Sequence, residues 1–459
     1  MAIDFNKLWK EARTTEDEAG SVRALAKILS SKDGRTFILN LEQTEAELCI
    51  EILDHGLAEH KLHASEKQTF FGTLRRLAGK HARLPDSMVI TDNIDFSSPT
   101  QPQTSGGFAD IKPGRYKGHT VAVKTLRVAM TDNFEKIRKQ FCKEVVLWNS
   151  LSHPNVLKLV GVLGGIEQYP FATVSEWMVH GNIMQYIRRN ATNRLELLYG
   201  AVQGLKYLHD ANLTHGDLKG ANILMTNDTP PRTCLADFGF TTMVLDPFNP
   251  MSSSLTLQGG TMTFMAPELL APSKFGQENA VPTREGDIYA FGLVILQVLT
   301  GELPFRNIKP LELAYHVSSG VRPDRPLNTE VIGISNSLWK LIQKCWDGEK
   351  TRRPRVQEVV EGVGNAATNW HTDMPPSVIE QSEDSVAEED SDELKHVGIF
   401  QSYKSEDTPP ADLSTDEPVF EHLNQNNPPP PTAIPPRKRK GFKYFLNKVP
   451  AIFGRKSRH

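Results

Sequence analysis

The string His215-Gly216-Asp217-Leu218-Lys219-Gly220-Ala221-Asn222, followed by Asp237-Phe238-Gly239, constrains this chain more than any other stretch. Asp217 can receive the proton of an attacking hydroxyl. Asn222 and Asp237 offer the hard oxygen donors that Mg²⁺ takes beside substrate phosphates. One proton acceptor and two oxygen ligands in this order point to phosphoryl transfer, with nucleotide, metal and acceptor meeting at one place.

Further pieces line up on either side. Ser105-Gly106-Gly107-Phe108-Ala109-Asp110-Ile111 is a glycine-bearing turn between two strand-like runs. Glycine lacks the Cβ that would keep backbone N–H groups from phosphates, although Gly-Gly turns are also ordinary hairpins. Val121-Ala122-Val123-Lys124 alternates like a strand and ends on a cation. Lys124 could grip α- and β-phosphates, or be a surface lysine on an edge strand. Glu144 lies in an amphipathic helical run, Phe134 to Leu151, from which it could hold Lys124 in place. Asp237 follows the apolar Cys234-Leu235-Ala236, as a residue at a strand end would. Each piece alone is commonplace; their joint order is not.

From Thr104 to Val363 the chain resembles the protein kinase family, with Ala266-Pro267-Glu268, Asp287 in GDIYAFG, and Arg353-Pro354 completing the set. The resemblance implies an α+β, two-lobed fold with a small β-rich N-lobe and a larger helical C-lobe. It implies that Glu268 pairs with Arg353 and that Asp287 anchors the catalytic loop from a buried helix. The cofactors would be ATP and Mg²⁺, with Mn²⁺ as the alternative metal. Adenine would sit against Ile111, Ala122 and Leu224, its polar edge on the backbone of Glu176 and Met178, with Ser175 in the gatekeeper place. Gly106 and Gly107 would cover the phosphates, and Lys124 would neutralise them, held by Glu144. Asp217 would orient the hydroxyl, Lys219 would steady the γ-phosphate, and Asn222 and Asp237 would hold metal. Lys219, two residues after Asp217, is typical of Ser/Thr enzymes. Ser175-Glu176-Trp177-Met178, Trp148, HPNVLKLVGV and Cys345-Trp346 look like the tyrosine-kinase-like branch, and HGDLKGANIL with LRRLAGKH upstream looks similar to its fungal members.

Three positions depart from the family pattern. Thr104 and Ala109 replace the first and third loop glycines, and their Cβ atoms narrow the allowed backbone, the β-branched threonine more so. ATP affinity is the property this touches. Gly216 stands where many kinases carry an arginine that reads a phosphorylated activation loop through charge-assisted bonds. Phosphorylation of that loop is therefore not expected to be the main switch, although it holds Ser252 to Thr256, Thr261 and Thr263. The competing function is a pseudokinase that binds partners, with or without ATP, and lacks efficient transfer. Retention of Lys124, Glu144, Asp217, Asn222 and Asp237 weighs against it. A small-molecule kinase is disfavoured by Ala266-Pro267-Glu268 and the Asp287 helix.

Around this block, 104–370, the composition changes. Residues 1–92 read as helical, with Thr44-Glu45-Ala46-Glu47 and Ser65-Glu66-Lys67-Gln68 as capping boxes and Asp33-Gly34 as a turn. They form either a small bundle or a satellite on the neighbouring domain. Residues 93–103 are a polar linker. In 371–436 an acidic run, Glu380 to Glu393, precedes Pro428–Pro431 and Pro435-Pro436. These stretches are too poor in apolar residues to offset chain entropy and should be disordered. The prolines suit an SH3- or WW-type partner. Residues 437–459 are basic and aromatic. Arg437-Lys438-Arg439-Lys440 resembles a nuclear import signal, and Phe442, Tyr444, Phe445, Leu446 and Phe453 suit an anionic membrane surface.

Length and charge bound the rest. A chain of 459 residues suggests two or three units. A net charge of −3 gives no footing for a specific nucleic-acid partner. Cys49, Cys142, Cys234 and Cys345 form no CxxC pair, so neither zinc nor a disulfide framework is signalled. The N-terminus has no basic-then-apolar signal pattern, Gly does not follow Met1, and Tyr289 to Leu299 is too short to span a bilayer. A cytoplasmic protein acting on protein substrates is the expectation.

Overall fold

The computed structural model describes residues 4–15, 17–60, 62–96, 104–105, 109–126, 134–164, 171–237, 259–327 and 332–369. The acidic run, the proline segments and the basic tail lie outside these residues, as do Gly106, Gly107 and the loop segment 238–258.

Five helices open the chain: α1 (Phe5–Thr14), α2 (Glu18–Leu29), α3 (Lys32–Leu39), α4 (Gln43–Glu59) and α5 (Ala64–His81). Their starts differ from the expected ones. Helix α4 begins before Thr44, and α5 begins at Ala64 with Glu66 accepting the His63 N–H at 2.9 Å. Asp33-Gly34 is not a turn but the first turn of α3, where the Ser31 hydroxyl accepts the Gly34 N–H at 3.0 Å. A Cβ on Gly34 would lie 1.8 Å from the Ile28 carbonyl oxygen, so glycine here serves close packing of α3 on α2.

The small lobe is a six-stranded sheet plus one long helix. Its strands are β1 (Val89–Ile90), β2 (Thr104–Ser105), β3 (Ala109–Tyr116), β4 (His119–Leu126), β5 (Leu159–Leu163) and β6 (Ala172–Glu176), in the order β1-β5-β6-β4-β3-β2. Helix α6 (Phe134–Ser150) lies between β4 and β5 in sequence. Thr104 pairs with Ile111, and Ala109 with Leu126. Both departures from the glycine pattern therefore stand in regular ladders, where an extended backbone accepts a Cβ and even a β-branched residue.

The bundle and the small lobe share one core. Phe70, Leu74, Leu77 and Ala78 of α5 cluster with Ile137, Phe141, Cys142 and Val145 of α6 and with Leu159 and Val162 of β5. The apolar interior of the five helices thus continues into the lobe. Part of the expected linker is likewise docked. Asp95 bridges to Arg115 and Ile94 is buried against the sheet, while β1, which runs parallel to β5, lies just before the linker in the stretch expected to be helical.

A buried carboxyl sits at this junction. Glu51 of α4 accepts the Asp86 N–H at 2.9 Å, and Asp54 accepts the Ser87 hydroxyl at 2.7 Å. Burial pushes the Glu51 carboxyl up, the Asp86 amide lowers it, and the Asp86 and Asp54 charges raise it again, to about 8. A carboxyl raised in the folded state stays protonated there while the unfolded chain ionises from 4.5 upward. Stability from this group is therefore lost as pH rises from 4.5 to about 8, on the order of 1 kcal/mol per pH unit. Glu51→Gln keeps an acceptor for Asp86 and should flatten that slope in urea unfolding. An unchanged slope would contradict this assignment.

The large lobe is built on α7 (Ile183–Arg189), α8 (Arg194–Asp210), the hairpin β7 (Ile223–Met225) and β8 (Thr233–Leu235), α9 (Pro267–Leu270), α10 (Arg284–Thr300), α11 (Pro310–Ser318), α12 (Asn336–Cys345) and α13 (Val356–Thr368). Helix α10 is buried from Gly286 to Leu299, which explains its largely apolar sequence. Thr283 caps its start and Gly301 its end. Among the described residues no helix is long and apolar enough to cross a membrane. All four cysteines are buried and free.

Candidate active site

Strand register places the upper wall of the cleft. Val121 and Val123 of β4, with Ala172 and Val174 of β6, are buried in the small-lobe core. Alternation turns Ala122, Lys124, Thr173 and Ser175 to the opposite face. Ala122 pairs with Ser175 and Lys124 with Thr173, while on β3 Ile111 lies opposite Lys124. Ile111, Ala122, Lys124 and Ser175 therefore share one side of the sheet. From below, Leu224 and Met178 pack partly buried on the large-lobe core. Glu176 ends β6 and Met178 follows in the segment that joins the lobes. Gly106 and Gly107 lie outside the described residues.

The catalytic loop is hung from α10. Asp287 Oδ2 accepts the His215 N–H at 2.8 Å and contacts His209 Nε2 at 2.9 Å, and its Oδ1 accepts the Gly216 N–H at 2.9 Å. Gly216 has φ 79°, where an L side chain is strained. A second tie is the His215 ring, with Nε2 3.0 Å from the Ala236 carbonyl oxygen. One residue further on is Asp237, itself at φ 70°. The loop and the residues after β8 are thus fixed to each other as well as to the helix.

Within the loop, Asn222 donates its amide to the Asp217 carbonyl at 2.8 Å and to Asp217 Oδ2 at 2.9 Å. Lys219 Nζ lies 3.0 Å from the same Oδ2. Asp217 is buried. Because the Asn222 nitrogen is committed to Asp217, its amide oxygen is the end left for a cation. Asn222 also accepts the Ala236 N–H through its carbonyl, at 2.9 Å, which brings it beside Asp237. Two oxygen-bearing side chains suit a hard cation whose other ligands are phosphate and water.

Lys124 is paired with Asp237, and Glu144 accepts a hydrogen bond from Gln140 at 3.2 Å. The Lys124–Asp237 pair crosses the cleft between the lobes. Burial would raise the Asp237 carboxyl, but the Lys124 charge and hydrogen bond outweigh it, aided by Lys219 and His215. They hold it below the usual carboxylate range. Asp237 therefore stays ionised, and able to hold metal, at any pH near neutral.

Below the cleft, Arg353 meets Glu268 through two parallel bonds of 2.6 and 2.7 Å. It also donates to the carbonyls of Glu285 and Asp347 and lies over the Tyr289 ring, 5.1 Å from its centre. This pair is as the resemblance implied. His209 was not singled out in the sequence, and Asn155, whose amide donates to the Thr233 carbonyl at 2.7 Å, stood there only as a letter of HPNVLKLVGV with no role given to it. Neither belongs to a short motif that carries chemistry; both act only once distant strands and helices meet.

A two-lobed fold with this loop, this helix-borne aspartate and this buried ion pair defines a protein kinase domain. A family model described as protein tyrosine and serine/threonine kinase matches residues 101–363, and the chain belongs to that family. Among curated relatives in Arabidopsis thaliana, the serine/threonine-protein kinase STY46 is 29% identical over 263 residues, covering 56% of this chain and 42% of the relative. The serine/threonine-protein kinase VIK is 27% identical over 274 residues, 58% of this chain and 59% of the relative. The serine/threonine/tyrosine-protein kinase HT1 is 29% identical over 265 residues, 56% and 63% respectively. The chain thus spans 42 to 63% of the length of these three relatives.

Proposed function

We propose that this chain transfers the γ-phosphate of ATP to Ser and Thr hydroxyls of protein substrates in signal transduction. The observation that carries the reading is the joined set Asp217, Asn222, Lys219, Asp237 and Lys124. A phosphorylated substrate needs all of them in one cleft, whereas a binding-only domain needs none of the contacts on Asp217.

Asn222 and Lys219 both contact Asp217 Oδ2 and so fix the carboxylate's orientation. Oδ1 is then the oxygen to face an incoming hydroxyl and take its proton. Lys219 is placed to steady the transferring phosphoryl group while it touches Asp217. Mg²⁺, held by Asp237 and the Asn222 amide oxygen, would supply neutralisation of phosphate charge. Lys124, now on Asp237, is the cation that would turn to the α- and β-phosphates once metal takes that carboxylate. Little covalent chemistry is asked of the protein; positioning and electrostatics do most of the acceleration.

Lys219 and the names of STY46 and VIK favour Ser and Thr as acceptors. HT1, named for tyrosine as well, supports a second reading in which tyrosine is also accepted. A peptide-library profile with the phosphorylated residue identified decides between them. Phosphotyrosine as the main product would overturn the Ser/Thr reading. For location, the basic residues 437–459 support nuclear import or attachment to an anionic membrane. An unchanged distribution of a fluorescent fusion lacking them would sink both.

A further inference from the structure

The turn between β7 and β8 carries bonds that the catalytic loop does not need. Asn227 Nδ2 donates to Glu176 Oε1 at 2.9 Å and to the Trp177 carbonyl at 2.8 Å. Its Oδ1 accepts the Val179 N–H at 2.9 Å. One amide side chain therefore engages three of the four residues from Glu176 to Val179, the segment that joins the lobes. Met178, the residue between two of these bonds, is the one whose backbone is expected to meet adenine. Its carbonyl already accepts the Gly181 N–H at 3.0 Å, which leaves its N–H as the group to present.

The platform beneath Asn227 is braced. Thr226 donates its N–H to the Arg232 carbonyl at 2.7 Å and its hydroxyl to Asp228 Oδ2 at 2.7 Å. Arg232 grips the same Asp228 oxygen through Nε and Nη2, at 3.1 and 2.7 Å. Ile223 and Met225, just before the turn, are buried in the large-lobe core. Asn227 is therefore carried by the large lobe while its amide holds the connecting segment.

We propose that Asn227 is a positioning residue for the nucleotide: it latches the connecting segment to the large lobe and sets the Glu176 carbonyl and Met178 N–H in register for the adenine edge. This rests on the reading of the chain as an ATP-dependent kinase. Asn227 touches no reacting atom, so it acts on nucleotide affinity rather than on the phosphoryl-transfer step. Loss of one shared set of hydrogen bonds predicts a change of modest size.

The test compares the full chain with Asn227→Ala and Asn227→Asp. Asn227→Ala should raise KM for ATP about three- to tenfold, with kcat within about twofold and the melting temperature unchanged. The Kd for MgADP, measured by calorimetry, should rise in parallel. Asn227→Asp is isosteric and keeps the acceptor for Val179, but sets a carboxylate against Glu176; its KM should rise at least as much. Unchanged KM and MgADP affinity in both variants would overturn the proposal, as would a loss of kcat that merely tracks loss of folded protein. A wild-type chain that neither transfers phosphate nor binds MgADP would instead overturn the kinase reading, and this proposal with it.

Discussion

Replacing Asp217 with Asn should lower kcat for phosphotransfer by about 10²–10⁴-fold, the range expected when a positioned general base is removed. The change is isosteric. Asn222 can still donate to the side-chain oxygen at residue 217, and its second bond goes to the backbone carbonyl, which the substitution does not touch. Asp287 still holds the loop through His215 and Gly216. The site should therefore keep its shape and its MgADP affinity while losing the negative charge that receives the hydroxyl proton. Steady-state kinetics and calorimetry on the same preparation separate the two effects. Wild-type kcat in this variant would remove Asp217 from the chemistry.

The largest effect on stability should come from Arg353. Both members of its pair with Glu268 are buried, with side-chain exposures of 0% and 3%. Breaking such a pair from one side leaves a charge without a partner and typically costs about 3–5 kcal/mol. Arg353→Leu also strands the carbonyls of Glu285 and Asp347, which lose their donor. The urea midpoint should fall accordingly. Glu268→Leu combined with Arg353→Leu should recover part of the loss, since no unpaired charge then remains. A single variant within about 1 kcal/mol of wild type would show that the pair is not what holds α9 to the large lobe.

The chemistry of this chain is legible in its sequence because it lies in short strings. Asp217, Lys219 and Asn222 fall within six residues, so their closeness in sequence already puts them in one loop. The Arg353–Glu268 pair and the Asp287 anchor follow from the family pattern and stand where that pattern puts them. What the sequence does not disclose depends on tertiary approach. Asn227 is one polar residue in a turn, and only the fold shows that the turn abuts the lobe connection. His209 reads as an ordinary helix residue until α10 brings Asp287 against it. The five helices read equally as a bundle or a satellite because periodicity locates an apolar face without naming its partner; α5 turns out to bury that face on α6. Capping boxes at Thr44 and Ser65 were displaced because the chain finds earlier helical starts, one of them secured by Glu66.

Asp237, which pairs with Lys124, is the carboxylate proposed to hold metal. The most direct measurement is transfer of labelled γ-phosphate from MgATP to a protein substrate by the wild-type chain and by Asp237→Ala at equal folded concentration. The structure predicts transfer by the wild type and loss of about 10²-fold or more in the variant, the scale of removing one preorganised electrostatic group. Equal signals from the two proteins would contradict it.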